Sequence, residues 1–397
     1  MHRVLFRSTV FAAPAAVMIA CVLGAGPAAA ARPTARPAAP QPGHWTQVTT
    51  AGQENFADVG LARGANGVLH VLWTSGQIGN MSVWETPVQP NGVVGKPDAI
   101  SKRLVLASFP DATLSGRTMH AFWNQTPKSG TPSQTAMISW PAGARHWSAP
   151  AVVPATNDSV DFTISAGTGA DGQPWVAFVD NGNQGFEAAH YGHARKQYKT
   201  AGCCAYNAGI GVDSRTSTAW VTWYSNATHK VGILAQQLKQ DGTRVGNPIQ
   251  LPGSSTGGEA LAVNHRTTAT GLGHHLGGVY VTYLSGWPTA RKVDLMRLGA
   301  KSAVAVSTMT GSMGSTLAAD PWGRLWVAWW KGNSIFLRRA ASGAGKFGKT
   351  VRLAAPAGTG TLWKIYINAQ AKRVDVLALL TVHNKLAWWH TQVLPPK

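Results

Sequence analysis

The sequence predicts an all-β fold, a seven-bladed β-propeller of four-stranded antiparallel blades. Three observations carry that prediction. The first is a repeated strand. Asp320-Pro321-Trp322-Gly323 is a turn, and Leu325-Trp326-Val327-Ala328-Trp329-Trp330 after it is rich in aromatic and β-branched residues. Similar stretches end at Trp73, Trp123, Phe178, Trp223, Tyr283 and Trp329, with a degenerate last copy at Ala378. A period near fifty residues with several strands per unit is the signature of a radial array. The second observation is a shared ending. Gly345 to Leu353, Arg145 to Val153, Arg244 to Leu251 and Val94 to Ile100 each place a strand after a turn. The third is an imbalance at the chain ends. The final unit, Leu362 to Leu394, has room for three strands, while a spare copy, Gly43 to Thr49, precedes the first unit. Pairing of this N-terminal strand with the last blade closes the ring and removes open sheet edges.

Along the chain, Met1 to Arg7 is basic, Ser8 to Gly26 is apolar, and Ala28-Ala29-Ala30 offers a small-residue cleavage site. Residues 1–30 therefore read as a secretory signal peptide, and the protein is expected to be secreted. Cys21 offers a weak lipoprotein-type site, but the apolar residues after it argue against a lipid anchor. Residues 31–42, dominated by Ala, Pro and Arg, read as a linker. The propeller is expected over 43–397. Blade 1 runs from Asp58 to Ser101, blade 2 from Asp111 to Ala155, blade 3 from Asp161 to Ala205 and blade 4 on to Gly253. Blade 5 spans Leu261 to Thr310 and blade 6 Thr316 to Ala355. Blade 7 runs to Leu394 and borrows Trp45 to Thr49.

The chain carries 35 basic and 16 acidic residues, a formal charge of +19. Only Arg3 and Arg7 of the basic residues fall in the first thirty, so the charge belongs to the mature chain. A field of this sign favours a carbohydrate polyacid or another anionic polymer as partner. No nucleic-acid motif accompanies the basic cluster of blade 6, and no internal segment is apolar for the length of a membrane span. No cofactor motif, phosphate loop or nucleophile elbow is present, and His and Cys show no metal-ligand spacing. The expected state is a monomer.

In a propeller, blade-to-blade connections and those between second and third strands open on one common face, where ligands gather. That face should carry Asn124 and Gln125, Asp180 and Asn181, Trp287 and Arg291, Lys331 and Asn333, and His383 and Asn384 as ligand-binding tips. Asp58, Asp111 and Asp161 stand at the starts of inner strands, where Asp caps its own backbone. His70 and His120 share a column with Trp175, Trp220, Tyr280 and Trp326 and read as core. Trp287, Trp322 and Trp363 fall in turns or loops and are the candidates for stacking on a sugar.

Cys203 and Cys204 are the only cysteines left after signal removal. The options are a vicinal disulfide, an intermolecular bridge or two free thiols, the first being favoured in an oxidising compartment. The segment Glu187 to Tyr198, with His190, His193 and Arg195, has the residue types a β-eliminating polysaccharide lyase needs. As a third strand and its following turn, it should open on the face opposite the ligand tips.

The units Gly169 to Phe178 and Ala318 to Trp329 resemble the Asp-box repeats of sialidase-superfamily propellers, and the resemblance spans about Trp45 to Leu394. The preceding Ser or Thr and the fixed Asp-to-aromatic spacing are not consistently present. Sialidase activity would imply an arginine triad, a Tyr–Glu nucleophile pair and an Asp acid. Only Glu54, Glu85, Glu187 and Glu259 are available as glutamates, and no catalytic residue is carried across. The expected function is a secreted, non-catalytic module that binds carbohydrate or another polyanionic polymer. The alternatives are a polysaccharide-active enzyme, lyase before hydrolase, and a cell-surface interaction platform.

Overall fold

Seven four-stranded antiparallel sheets follow one another along the chain. The computed structural model describes residues 43–394, except 50–57, 154–163, 170, 181–184, 192–195, 200–204, 214, 217, 228–230, 255–267, 272–276, 287–288, 341–343 and 357. Blades 1 to 6 occupy residues 60–99, 106–152, 165–199, 205–250, 268–307 and 314–354, and each runs in order from first to fourth strand. Blade 7 is built from 362–393 and takes its fourth strand, Thr46–Gln47, from the N-terminal side. The first strands of successive blades touch one another, and that of blade 7 meets that of blade 1, so the ring is closed.

The core lies between the blades, which is why the repeated strands are apolar on both faces. One buried cluster joins Leu61, Val71 and Trp73 of blade 1 to Tyr366, Leu377 and Trp388 of blade 7. Another joins Trp326 and Trp330 of blade 6 to Ile365, Val376 and Leu380 of blade 7. Trp73, Trp123, Trp175, Trp223 and Trp326 are fully buried, each from the repeated second strand. Such rings bury large areas and favour edge or offset contacts, as Tyr366 and Trp388 show at 5.4 Å.

Charged groups latch the closure. Asp375, on the second strand of blade 7, is wholly buried. It accepts from His390 Nε2 at 2.8 Å, Gln370 Nε2 at 2.7 Å and Gln392 Nε2 at 3.0 Å, and pairs with Arg63 of blade 1. Burial would raise the Asp375 pKa, but the His390 hydrogen bond and the Arg63 charge outweigh it and hold the carboxyl below the usual range.

The strands alternate in direction, so the ring has two rims. The upper rim carries the blade-to-blade connections and those from second to third strand. The lower rim carries the first-to-second turns and third-to-fourth connections. The Asp-x-x-Gly turn lies on the lower rim, where Asp320 Oδ1 accepts from the backbone of Trp322 at 2.9 Å and Arg324 at 3.0 Å. Asp58 Oδ1 accepts from the next residue's N–H at 3.0 Å, as a capping Asp should. Asp111 differs from the expectation. It lies inside the first strand of blade 2, Leu106–Ser115, and its Oδ2 accepts from Ala166 N of blade 3 at 2.7 Å. A bulge lies beside it, between Ser108 and Asp111. Phe109 in that bulge has φ +48°, and Asn207 in the matching bulge of blade 4 has φ +55°. Asp161 lies outside the described residues.

Candidate functional site: a cleft between blades 1 and 2

The predicted upper-rim tips serve different purposes. Asn124 and Gln125 are buried, at 0% and 7% exposure, rather than displayed to a ligand. The cause is the length of the second strand of blade 2, Thr118–Thr126, which carries both residues inside the sheet. There Asn124 Oδ1 accepts from Thr135 and Gln125 Oε1 from the Trp123 indole at 2.9 Å. Asn333 is exposed but bound to the neighbouring blade. Its Nδ2 donates to Gly360 O at 2.9 Å and its Oδ1 accepts from Leu362 N at 3.1 Å. His383 and Asn384 both have positive φ and form the two-residue turn between Val382 and Lys385, the geometry that matches strand twist in a hairpin. Lys331 and Arg291 are exposed. Asp180 ends the second strand of blade 3, and its side chain, like Asn181, Trp287, Cys203 and Cys204, lies outside the described residues. Of the candidate stacking residues, Trp363 is 58% exposed on the upper rim and Trp322 55% exposed on the lower rim.

A cleft opens on the lower rim between blades 1 and 2, in two adjoining lobes of about 340 and 480 Å³ that share Asn66, His70 and Trp140. These volumes fall in the range of small-ligand sites. None of the predicted tips lines it.

His70 and Glu85 form its floor. His70 lies on the second strand of blade 1, opposite Pro87 on the third, and Glu85 stands two residues along from Pro87. Both side chains are nearly buried, and His70 Nδ1 meets Glu85 Oε1. The other carboxylate oxygen accepts from the Trp147 indole at 2.7 Å. Trp147 comes from blade 2, on the connection between its third and fourth strands. That connection is held back on its own sheet by Ser139 N to Ser148 Oγ at 2.9 Å and Ser148 N to Ser139 O at 2.8 Å. Gly143, at φ +84°, makes the turn that starts it. Trp140 is pinned by its indole N–H to Ala144 O at 2.8 Å. The three rings pack edge to face, with His70 5.4 Å from Trp140 and 6.2 Å from Trp147, and the two indoles 5.2 Å apart.

This arrangement fixes the imidazole. In the neutral tautomer that donates Nδ1–H to Glu85, the lone pair is on Nε2. Nε2 forms no hydrogen bond to a described residue and lies beside Gly64. A side chain there would press on Asn66 Oδ1 at 2.8 Å and His70 Nε2 at 3.2 Å. Around the mouth stand exposed Lys96, Arg117 and Arg145, with His146 and one exposed acid, Asp98. The cleft therefore offers aromatic surface, an imidazole nitrogen held in place by Glu85 and an excess of positive charge. Among the described residues, no group of three or more His, Cys, Asp or Glu is arranged to hold a metal ion.

The core assignment of His70 is half of the picture: the ring is 4% exposed, yet it lines the cleft. His120, in the same column one blade on, is a contrast. Its Nδ1 meets Ser139 Oγ at 2.9 Å, and burial lowers its pKa. The signal for the difference was Glu85, a rare glutamate on an apolar third strand.

No protein-family model matches the chain, and no curated protein matches it in sequence. Solved structures do. The chain is similar to a polysaccharide lyase, Uly1, with 10% identity and TM-score 0.54, over 89% of this chain and 99% of that one. It is similar to virginiamycin B lyase from Staphylococcus aureus, with 10% identity and TM-score 0.51, over 87% and 99%. It is also similar to the WD40 domain of Toxoplasma gondii coronin, with 10% identity and TM-score 0.51, over 90% and 89%. Identity this low supports the propeller fold alone, and the three neighbours differ in what they do.

Proposed function

We propose that the chain is an exported binding protein that holds an acidic saccharide, or a similar ring-bearing polyanion, in the cleft between blades 1 and 2. The observation that carries this reading is the corner formed by His70, Trp140 and Trp147, with cationic side chains at its mouth. Indole rings offer apolar surface to a sugar ring, and the polar edges of the cleft can orient its hydroxyls. Lys96, Arg117 and Arg145 would meet the acidic groups, and the net charge of the chain would draw the polymer in.

Titration calorimetry with uronate oligosaccharides at low and raised salt tests this. Trp140→Ala should lower affinity about tenfold or more. The double variant Lys96→Ala/Arg145→Ala should flatten the salt dependence, while Trp322→Ala on blade 6 should leave binding unchanged. Equal affinity in wild type and Trp140→Ala would remove the cleft from consideration.

One observation favours a catalytic reading. A histidine oriented by a carboxylate, with its second nitrogen on a cleft, can take and return a proton. On a 4-linked uronate, His70 Nε2 would remove the C5 proton. The electrons would form the C4–C5 double bond as the C4–O bond breaks, and the proton would return to the leaving oxygen. A cation at the mouth would neutralise the carboxylate. Incubation with uronate polymers, followed by the ultraviolet absorbance of the unsaturated product, separates the readings. A rising trace lost in His70→Gln makes the protein an enzyme, and a flat trace leaves it a binder.

A further inference from the structure

The strand registers place the same two-residue pair in adjacent blades with acid and base exchanged. In blade 7, Asp375 lies opposite Gln392, and His390 lies opposite Leu377. In blade 1, His70 lies opposite Pro87, and Glu85 lies opposite Leu72. The first-strand partners agree, since Asn368 pairs with Asp375 as Ala62 pairs with His70. His70 thus occupies the position of Asp375, and Glu85 that of His390.

The surroundings of the two pairs differ. In blade 7 the space beside the pair is filled by the chain itself. Arg63 enters from the first strand of blade 1, Gln370 from the first residue of the turn, and Gln392 from the third strand; all three donate to Asp375. The equivalent positions beside His70 and Glu85 are Leu114, which pairs with Met119 as Arg63 pairs with Leu69, then Gly64 and Pro87. None of these side chains offers a hydrogen-bond donor. All three line the cleft. The cleft is the closing slot with its fillers taken away and its polar pair kept.

We propose that this slot is a subsite whose occupant supplies the missing donor: a hydroxyl of the saccharide ring, donated to His70 Nε2, with the ring against Trp140. The inference rests on the cleft being a saccharide site, and it names Gly64 and Leu114 as the residues that keep the slot open. It also makes the subsite a reader of hydroxyls, whereas the cations at the mouth read charge.

The test refills the slot. In the full chain, Leu114→Arg and Gly64→Gln each restore a residue type found in the blade 7 slot. Binding of a uronate tetrasaccharide and of a neutral cello-tetrasaccharide is measured by calorimetry, with thermal unfolding of each variant alongside. Each refilled variant should lose about tenfold or more in affinity for whichever sugar the wild type binds, without a lower unfolding temperature. Binding within about twofold of wild type in both variants overturns the subsite and leaves the wider cleft reading in place. No binding of either sugar by the wild type overturns both. Binding of the neutral sugar alone supports the subsite and removes the preference for acids. Should the variants not fold, nitrogen NMR of the wild type decides: a His70 Nε2 shift on adding sugar supports the proposal, and an unmoved resonance overturns it.

Discussion

Replacing Asp375 by asparagine should destabilise the propeller by about 3 to 5 kcal/mol, the cost of breaking a buried ion pair from one side. The side chain is fully buried, and Arg63, His390, Gln370 and Gln392 all point donors at it. An asparagine keeps the volume but turns one acceptor into a donor and leaves the largely buried Arg63 guanidinium without its counter-charge. Because the pair ties blade 7 to blade 1, the loss acts on ring closure rather than on one sheet. Glu85→Gln, at the related pair of blade 1, should cost less, since that pair borders an open cleft. Urea unfolding of both variants checks the order, and equal midpoints would contradict it.

The same network sets an acid limit. The Asp375 carboxyl is held below its ordinary value of 3.8, because the His390 hydrogen bond and Arg63 charge overcome the effect of burial. A carboxyl with a depressed folded-state pKa binds fewer protons folded than unfolded. Its contribution is therefore complete above the unfolded value and declines as pH falls below about 4 toward the folded value. Wild type should lose stability through that window, and the loss should be shallower in Asp375→Asn. Parallel acid profiles would show that other carboxylates dominate.

The fold was legible because the repeat is carried by residues whose role is the same in every blade. Trp73, Trp123, Trp223 and Trp329 each lie within a second strand and are each buried between blades. The shortage of one strand in the last unit, set against a spare one near the start, gave the closure. The cleft was not legible in this way. His70 looked like one more member of a core column, and the same position in blade 6, Trp326, is core. The opening of the cleft depends on what is missing at Gly64, Pro87 and Leu114, which only the cross-strand registers bring together. Trp147 reaches Glu85 across 62 positions of sequence, through a connection that the repeat pattern places but does not aim. Asn124 and Gln125 failed as tips for a related reason. Polar residues near the end of a strand suggest a loop, but here the pairing continues to Thr126 and folds them into the sheet.

Removing residues 1–49 should have the second large effect, loss of the closed ring. The segment contributes few residues but many ties. Gly43 N donates to Gln392 O at 2.9 Å, Val48 N to Trp388 O at 2.8 Å, and Trp388 N to Thr49 Oγ1 at 3.0 Å. The Trp45 indole reaches Ala354 O of blade 6 at 3.0 Å, and Val48 is buried in the cluster shared by blades 7 and 1. Without the segment, the strand Lys385–Val393 becomes an edge, and its unpaired backbone groups form a template for another chain. The truncated protein should unfold at lower temperature and elute as concentration-dependent oligomers in size-exclusion chromatography with light scattering. A synthetic peptide of residues 43–49 gives the discriminating control. If closure is the cause, adding it in excess should raise the unfolding temperature with peptide concentration, as mass action requires, and return the elution to that of the untruncated protein. A truncated chain that elutes as the wild type does, at wild-type stability, would show that the inner strands and inter-blade cores hold the ring without the borrowed strand.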